Sequence, residues 1–530
     1  MRRNCALRSM LLLTAFVIPF VLTASIPAIS AETTLKLAPQ ADLKVIDPVW
    51  SSANITLNHG YLVFDTLFAL NSKYEPQPQM VERYTVSDDG LSYSFTLRPG
   101  LKWHDGTAVT AVDCLQSLKR WGAKDDVGRI AMELTSELAA TDARTIVWKL
   151  KEPFGMLIPS LAKISTYPAV MMPEALAKTD PQTQIDSANG SGPYKFRKDQ
   201  WVPGSKVVYE KNTDYVPRSE PNDMFAGAKQ AKVDRIEWIY IPDPATAVAA
   251  LNAGEIDFLE SPSVDLLPLL QRNPDVVVRV NDPLGIMVVM RPNHLFPPFN
   301  SVKGRQALLY SIDQTEYMTA IGGAPEFWKT CDSMIYCGTS SYSNTGSIKL
   351  GGKADLAKAK QLIAESGYKG ELVAILQPTD RPAYSATALV LQQNLKKIGV
   401  NAELQPMDWS TMTQRRASKN EPAKGGWNII ISGWEGANIT PLTYAAINTS
   451  CEKAWFGWPC NAEIERLRVA WSREADATKR KAVLDQLHAL LVEEAPIAPV
   501  GQRLVPMAWR KNVDGVVKAP VLVLWNISKN

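Results

Sequence analysis

Histidine is scarce in this chain, and the motifs of the common catalytic and metal centres are missing. The sequence has no G-x-S-x-G elbow, and its S-x-x-K pairs lack the S-D-N and K-T-G partners of a penicillin-binding site. His104-Asp105-Gly106 precedes turn residues, so we interpret it as a turn rather than as part of a catalytic triad. We therefore predict a protein that is not an enzyme, with no catalytic residue, no metal site and no cofactor. The four histidines, none of which begins the H-E-x-x-H helix of a zinc protease, are His59, His104, His294 and His488.

Excess charge of one sign and long apolar segments are also missing. The chain has 57 basic and 54 acidic residues, and three of the basic ones are Arg2, Arg3 and Arg8. Without these arginines the two signs balance, which leaves no electrostatic footprint for nucleic acid or for an anionic membrane. The apolar run over residues 10–22 is too short for the roughly 20 residues of a membrane span, and no later segment reaches that length. Nucleic-acid binding is therefore not expected.

The first residues have the pattern of a secretory signal peptide. The three arginines precede the apolar run, and small residues follow it at Ala28, Ser30 and Ala31. A basic start, an apolar centre and a small-residue exit are the three parts of such a signal. We predict that residues 1–31 are removed by cleavage near Ala31. The mature protein would then be a soluble monomer in the periplasm.

Cysteine is uncommon too, but its spacing is informative. In an oxidising compartment the short spacings favour the disulfides Cys331–Cys337 and Cys451–Cys460. Each closes a small loop and would contribute roughly 2–3 kcal/mol to stability. The alternatives, zinc ligation or a redox pair, lack the C-x-x-C spacing and neighbouring histidines. Cys114 lies in an apolar, helix-like stretch, and we expect it to be a buried thiol.

Short strand-like stretches alternate with amphipathic helical ones, which is typical of an α/β protein. Ser92–Leu97 alternates between polar and aromatic residues, as a half-buried strand does. Residues 427–432 are almost wholly apolar, as expected for a strand that is buried on both faces. Asp355 can cap a helix that Gly367 would end. A chain of 530 residues exceeds what one hydrophobic core usually organises, so two or three lobes are expected.

Five blocks of sequence follow one another in a recognisable order. They cover residues 88–113 (beginning D-D-G-L-S-Y-S-F), 190–194 (G-S-G-P-Y), 209–215 (Y-E-K-N-T-D-Y), 250–257 (A-L-N-A-G-E-I-D) and 298–313. Together they resemble the family 5, peptide/nickel-type solute-binding proteins of ABC importers. Any one block is moderately specific, whereas all of them in order are very specific. Their glycines and aromatic residues build turns and strands, so we do not expect ligand contacts among them.

This resemblance implies a fold and a function. The implied fold is α/β, a two-lobe periplasmic-binding-protein clamshell with an extra subdomain in the N-terminal lobe. The implied function is the periplasmic substrate-binding subunit of an ABC importer, which encloses a short peptide or peptide-like solute and delivers it to membrane permease subunits. The alternative is a non-peptide solute, such as an opine, a modified amino acid, an oligosaccharide or a metal chelate. A secreted hydrolase is disfavoured, because no nucleophile–base pair is found. We assign residues 32–75, 190–287 and 499–530 to lobe I, 76–189 to the extra subdomain and 288–498 to lobe II.

The segment 432–441 follows the apolar strand, where α/β proteins place their ligands. It resembles the G-W-x-x-D-x-x-x-P segment of dipeptide- and oligopeptide-binding relatives, in which the aspartate bonds the ammonium group of the ligand. Ala437 stands at that position here. Either Glu435 supplies the carboxylate instead, or the ligand lacks a free α-ammonium. We predict that Trp434, Glu435 and Asn438 contact the ligand, and packing at the hinge is the alternative for Trp434.

Arg381 is the fourth predicted ligand contact. It lies in a turn before a helix that begins near Ser385, where a cation could meet an anionic end of the ligand. In the dipeptide-binding relatives, the arginines of this region lie at the start of that helix, where this chain has Ser385 and Ala386. A solvated surface arginine is the alternative interpretation of Arg381.

Overall fold

Strands and helices alternate along the described chain, as the sequence predicts for an α/β protein. The computed structural model describes residues 32–51, 53–164, 167–379, 381–436, 439–474 and 476–530. The predicted signal peptide and the predicted ligand contact Asn438 therefore lie outside the described residues. Residues Thr33–Asn530 pack as one unit, in which two large sheets and a smaller one set the positions of the loops.

The first large sheet, sheet A, is built from both ends of the described chain. Its central strand Thr34–Ala38 is parallel to Arg235–Ile239 on one side and to Phe258–Leu259 on the other. The helix Pro244–Ala253 connects these two neighbours, and Gly254 ends it in the left-handed conformation. In spatial order the seven strands of sheet A are Val276–Val280, Pro506–Arg510, Phe258–Leu259, Thr34–Ala38, Arg235–Ile239, Lys206–Lys211 and Tyr194–Phe196.

The second large sheet, sheet B, has an apolar centre. The strand Ile429–Glu435 begins with three consecutive isoleucines, all fully buried, as a strand covered on both faces requires. It is antiparallel to Ile286–Pro292 and parallel to Val373–Pro378. The helix Pro382–Lys397 links Val373–Pro378 to its parallel neighbour Ala402–Met407. In spatial order the six strands of sheet B are Trp328–Lys329, Ala498–Arg503, Ile286–Pro292, Ile429–Glu435, Val373–Pro378 and Ala402–Met407.

A smaller antiparallel sheet, sheet C, lies within the predicted extra subdomain. Along the chain, the helix Ala111–Lys124 lies between the strands Ser92–Leu97 and Thr135–Ala140 of this sheet. Thr110 and Asp113 form a reciprocal capping box at its start. The Nε2 atom of His104 lies 3.0 Å from the carbonyl oxygen of Gly192, at hydrogen-bond distance, so this histidine ties a turn to the backbone. The four strands of sheet C, in spatial order, are Val81–Val86, Ser92–Leu97, Thr145–Leu150 and Thr135–Ala140. Two further pairs of short strands are Phe68–Leu70 with Pro76–Pro78, and Val513–Asp514 with Ser528–Lys529.

Helices cover the sheets and form much of the second half of the chain. Within the described ranges, no helix is both long enough and apolar enough to cross a membrane. The α-helices are Asn54–Val63, Ala111–Lys124, Asp126–Glu133, Leu157–Leu161, Glu174–Ala177, Pro244–Ala253, Leu267–Gln271, Val302–Tyr310, Gln314–Gly322, Leu356–Glu365, Pro382–Lys397, Trp409–Arg415, Ala462–Arg473 and Ala477–Glu494.

The chain passes between sheets A and B at two places. Residues 281–285 lead from an edge strand of sheet A into Ile286–Pro292 of sheet B, and residues 504–505 lead from Ala498–Arg503 back to sheet A. The strand Ile286–Pro292 extends across the lobe boundary predicted at 287/288, and the strand Ala498–Arg503 extends across the one predicted at 498/499. The assignment of residues to lobes and to the extra subdomain stays a prediction.

The structure contains both predicted disulfides, Cys331–Cys337 and Cys451–Cys460. Cys114 is unpaired and buried in the helix Ala111–Lys124. Burial raises the pKa of its thiol, and the charge of the neighbouring Asp113 acts in the same direction. Cys114 is therefore a thiol of low reactivity in the folded protein.

Peptide mapping without reduction tests this cysteine chemistry. We expect peptides linked through Cys331–Cys337 and through Cys451–Cys460, with Cys114 reduced. Because Cys114 is buried, iodoacetamide should leave it unmodified in the folded protein and alkylate it after unfolding in guanidinium. A bridge to Cys114, or a link between the two disulfide loops, would contradict the pairing.

Candidate ligand-binding site

A cavity of about 430 Å³, which we call the large cavity, lies where the first third of the chain meets its second half. Its volume falls in the range of roughly 300–1,000 Å³ that is usual for small-molecule sites. One side is formed by residues within 70–76 and 156–163, and the other by residues within 338–341, 436–443 and 471–484. Segments that are distant in sequence therefore form a single site.

A tight hairpin brings Lys73 and Tyr74 to the large cavity. The side-chain oxygen of Asn71 accepts the backbone N–H groups of Lys73 at 3.0 Å and of Glu75 at 2.9 Å. Tyr74 has a φ of 61°, a left-handed conformation that is unfavourable by on the order of 1 kcal/mol for a residue other than glycine. The turn at Asn71 holds Tyr74 in this conformation, and strain of this kind is common at ligand sites.

The disulfide Cys331–Cys337 precedes the loop 338–341, which forms another part of the lining. Tyr336, inside the disulfide loop, packs directly against Gly436. A Cβ atom on Gly436 would lie 2.4 Å from a ring carbon of Tyr336, so only glycine permits this approach. The contact holds the disulfide loop beside the end of the strand Ile429–Glu435.

The lining of the large cavity combines apolar, hydroxyl-bearing and basic side chains. Among its described residues there is no Asp or Glu. Hydroxyl groups can donate to or accept from the polar groups of a peptide, while the apolar groups accommodate side chains. The apolar members include Met156, Ile439, Trp471 and Leu484; the hydroxyl-bearing members are Tyr74, Ser160, Thr339, Ser340, Ser341, Thr440 and Thr443; the basic members are Lys73, Lys163, Arg480 and Lys481.

A second cavity, of about 100 Å³, contains the carboxylates of this region, and we call it the acidic cavity. Glu260, Asp282 and Glu435 line it. The Nδ2 group of Asn54 donates a hydrogen bond to Glu435 Oε1. Asn54 begins a helix that packs on sheet A, whereas Glu435 ends a strand of sheet B. This hydrogen bond therefore connects the two sheets.

Burial controls the ionisation of the acidic cavity. It raises the pKa of Glu435 to about 7; the hydrogen bond from Asn54 opposes this rise, and the charges of Asp282 and Glu260 add to it. Burial also raises the pKa of Asp282 to about 6, although its carboxylate accepts the backbone N–H groups of Leu284 and Gly285. Across the described ranges, no group of three His, Cys, Asp or Glu residues has the geometry to hold a metal ion.

Trp434 lies in an aromatic cluster and is not among the lining residues of either cavity. Its ring meets Tyr444 and Trp455 edge-on, each at 5.5 Å between centroids. Trp455 comes from the loop closed by Cys451–Cys460. The indole Nε1 is buried and has no hydrogen-bond partner among the described residues. This packing agrees with the alternative interpretation of Trp434, and its contact with ligand stays a prediction.

Arg381 is exposed at the start of the helix Pro382–Lys397 and lines neither cavity. Its guanidinium group lies over the ring of Trp409, 5.6 Å from the centroid. Arg381 follows the strand Val373–Pro378, and Glu435 ends the neighbouring strand Ile429–Glu435. Because these two strands are parallel, their C-terminal ends lie on the same side of sheet B. The predicted contact of Arg381 with the ligand stays a prediction.

Sequence reasoning missed Lys73, Tyr74 and Arg480, all of which line the large cavity. Their local sequences have no pattern typical of a ligand site. The one available signal is Asn71, whose side chain favours a tight turn. A turn prediction would have located the hairpin but not the cavity that it faces.

The chain is similar in sequence and in structure to known solute-binding proteins. The sequence profile of the bacterial extracellular solute-binding proteins, family 5 (middle), matches residues 75–456. A probable peptide ABC transporter periplasmic-binding protein of Sinorhizobium fredii is 41% identical over 520 residues, which are 97% of each chain. The dipeptide-binding protein of Bacillus subtilis is 25% identical and aligns over 93% of this chain and 91% of its own. A dipeptide-binding protein from Pseudoalteromonas, solved in complex with Met-Leu, has a TM-score of 0.77 at 20% identity and covers 94% of this chain and 100% of its own.

The fold is that of a two-lobe periplasmic binding protein, as predicted. The chain belongs to the bacterial extracellular solute-binding protein family 5. This family consists of binding proteins that act outside the cytoplasm, and its members are not enzymes. The predictions of the family, of the fold class and of a non-enzymatic function are thereby confirmed.

The ionisation of Glu435 gives a testable pH dependence. Its carboxyl has a pKa of 4.5 before folding and about 7 in the folded protein, so the folded state binds the proton more tightly. The contribution of Glu435 to the free energy of unfolding should therefore fall as the pH rises from 4.5 to 7 and be level above 7. Glu435→Gln removes this penalty, and we expect it to raise the free energy of unfolding by roughly 1–3 kcal/mol at pH 8 and by little at pH 4.5.

Thermal unfolding monitored by circular dichroism between pH 4.5 and 8 measures this effect. The control is Glu255→Gln, because Glu255 is exposed and its carboxylate accepts no hydrogen bond from the part of the chain that the structure describes. That variant should follow the wild type at every pH. A difference between Glu435→Gln and the wild type that does not change with pH would show that Glu435 is not buried as described.

Proposed function

We propose that this protein is the substrate-binding subunit of an ABC importer, which captures short peptides or peptide-like solutes and delivers them to a membrane permease. The observation that carries the proposal is the large cavity, whose lining comes from both sides of the two chain crossings. A site of this kind closes around a solute by rotation about the crossings. The names of the relatives from Sinorhizobium fredii and Bacillus subtilis support a peptide as the solute.

The composition of the lining also supports a peptide-like solute. A peptide presents amide groups that need hydrogen-bond partners and side chains that need apolar contact, and the large cavity offers both. The position that is Asp in dipeptide-binding relatives is Ala437 in this sequence. A solute without a free α-ammonium, such as an opine or a modified amino acid, is therefore the second candidate.

The same proposal includes export to the periplasm. Residues 1–31 have the three parts of a secretory signal, and the mature chain would begin after Ala31. The two disulfides agree with an oxidising compartment. N-terminal sequencing of the mature protein isolated from periplasm tests this part of the proposal.

Filling the large cavity tests the proposed function. Ser340 is exposed in the loop that lines the cavity, so Ser340→Trp should fold normally and occupy the space of the solute. Ser205→Trp is the matched control, because Ser205 is exposed in a turn at sheet A and lines neither cavity. Native mass spectrometry of each protein, purified from the periplasm of the source cells, shows what remains bound.

We expect a peptide or peptide-like mass on the wild type and on Ser205→Trp, and its loss from Ser340→Trp. Mixing the stripped proteins with the recovered solute should give an affinity at least tenfold weaker for Ser340→Trp. Retention of the solute by Ser340→Trp with unchanged affinity would show that the large cavity is not the site.

A further inference from the structure

The charged side chains in the described lining of the large cavity are all basic. Lys73, Lys163, Arg480 and Lys481 line it, and its described lining contains no acidic residue. The structure does not describe residues 165–166, 437–438 and 475, which are close to the lining segments in sequence. None of these five residues is acidic. A ligand in this cavity therefore meets cations without a carboxylate among the lining groups.

Two of the four cations have an ion-pair partner in the protein. Lys163 forms a buried ion pair with Asp125, and Lys481 forms an exposed one with Asp485, one helical turn away. Lys73 and Arg480 differ from them, because neither side chain has an ion-pair or hydrogen-bond partner among the described residues. Lys73 is exposed and Arg480 is half-buried. The cavity thus keeps two positive charges that the protein does not compensate.

The three carboxylates of the acidic cavity form no ion pair with Lys73 or Arg480 within the described ranges. Glu260, Asp282 and Glu435 line the acidic cavity, and none of the three lines the large one. Each already accepts at least one hydrogen bond from the protein. Glu435 holds sheet A against sheet B through Asn54, whereas the hydrogen-bond partners of Glu260 and Asp282 include Asn58 and the backbone N–H of Leu284.

This distribution of charge favours one class of solute. In a cavity that is partly shielded from water, attraction between opposite charges is several times stronger than in bulk solvent. The guanidinium group of Arg480 offers paired donors that match a carboxylate, and the hydroxyl groups of Ser340 and Thr440 supply further donors. A cationic solute would meet like charges and leave its own ammonium groups without a partner.

We infer that the large cavity selects acidic solutes, namely peptides or peptide-like molecules with a net negative charge, and that Arg480 and Lys73 are their charge partners. The inference rests on the proposed function and names the class of solute for the same site.

Selection from a mixed library of peptides tests the inference. The probe is an equimolar mixture of free dipeptides and tripeptides, incubated with the stripped mature protein at low salt. Mass spectrometry then identifies the peptides that remain bound after gel filtration. We expect peptides with Asp or Glu to be enriched at least tenfold over their Asn and Gln counterparts, and peptides with Lys or Arg to be depleted. Raising the salt should reduce this enrichment.

Two variants connect the enrichment to the residues. Arg480→Gln should lose most of the enrichment, and Arg473→Gln should keep it, because Arg473 is exposed, pairs with Glu152 and lines neither cavity. Lys73→Gln is a second test at an exposed position, where folding is not at risk, and should reduce the enrichment as well. Thermal unfolding confirms that each variant is folded.

The outcomes separate the inference from the proposed function. Retention of neutral or basic peptides as readily as acidic ones would overturn the charge selection and leave the importer proposal standing. Unchanged enrichment in both Arg480→Gln and Lys73→Gln would overturn the assigned partners. Retention of no peptide at all by the wild type would contradict peptide capture itself, and the charge selection of peptides would fail with it.

Discussion

The chain crosses between its two large sheets at two adjacent points, and the positions of both cavities depend on this constraint. Gly285 has a φ of 69°, and a Cβ atom there would lie 2.4 Å from the carbonyl oxygen of Arg503. The two crossing segments therefore pass in near contact, which only glycine permits. The Nε2 group of Gln502 donates to the carbonyl oxygen of Leu284 at 2.7 Å and ties the segments together. The proposed capture of a solute requires sheets A and B to rotate as rigid bodies about these two short links.

The charges follow from this arrangement. The lining of the acidic cavity includes Asp282 of the first crossing and Arg503, which directly precedes the second crossing. The hydrogen bond from Asn54 to Glu435, two further lining residues, joins the sheets. The large cavity has the opposite character, with basic and hydroxyl-bearing side chains on the hairpin at Lys73 and on the loops beyond sheet B. Glu435 thus joins the sheets through its hydrogen bond from Asn54, while the solute would meet the basic groups.

The sequence predicts the parts of the fold that local chemistry determines. Asp355 accepts the backbone N–H of Lys358 and begins the helix Leu356–Glu365, as its capping preference indicates. The apolar run over residues 427–432 predicts a strand buried on both faces, and the isoleucines of Ile429–Glu435 confirm it. The spacing of four cysteines predicts both disulfides. Each of these features depends on residues that are close together in the chain.

The candidate site could be predicted only in part, because tertiary packing assembles it. The end of the apolar strand and the residue after it contribute to both cavities, since Glu435 lines the acidic cavity and Gly436 lines the large one. The other side of the large cavity comes from Tyr74 and its hairpin, which no local pattern relates to Glu435. Arg480 lies on the helix Ala477–Glu494, which is distant from that hairpin in sequence, and it lines the same cavity. The ring of Trp434 packs among aromatic side chains, which only the tertiary structure reveals.

Small-angle X-ray scattering tests the central claim, that the protein captures a solute by closing sheets A and B around it. The measurement compares the stripped mature protein with the same protein saturated by the solute that co-purifies with it. Rotation about the two crossings should bring the halves together, so we predict a smaller radius of gyration with the solute bound. A radius that stays the same at saturation would contradict closure about the crossings and the site that depends on it.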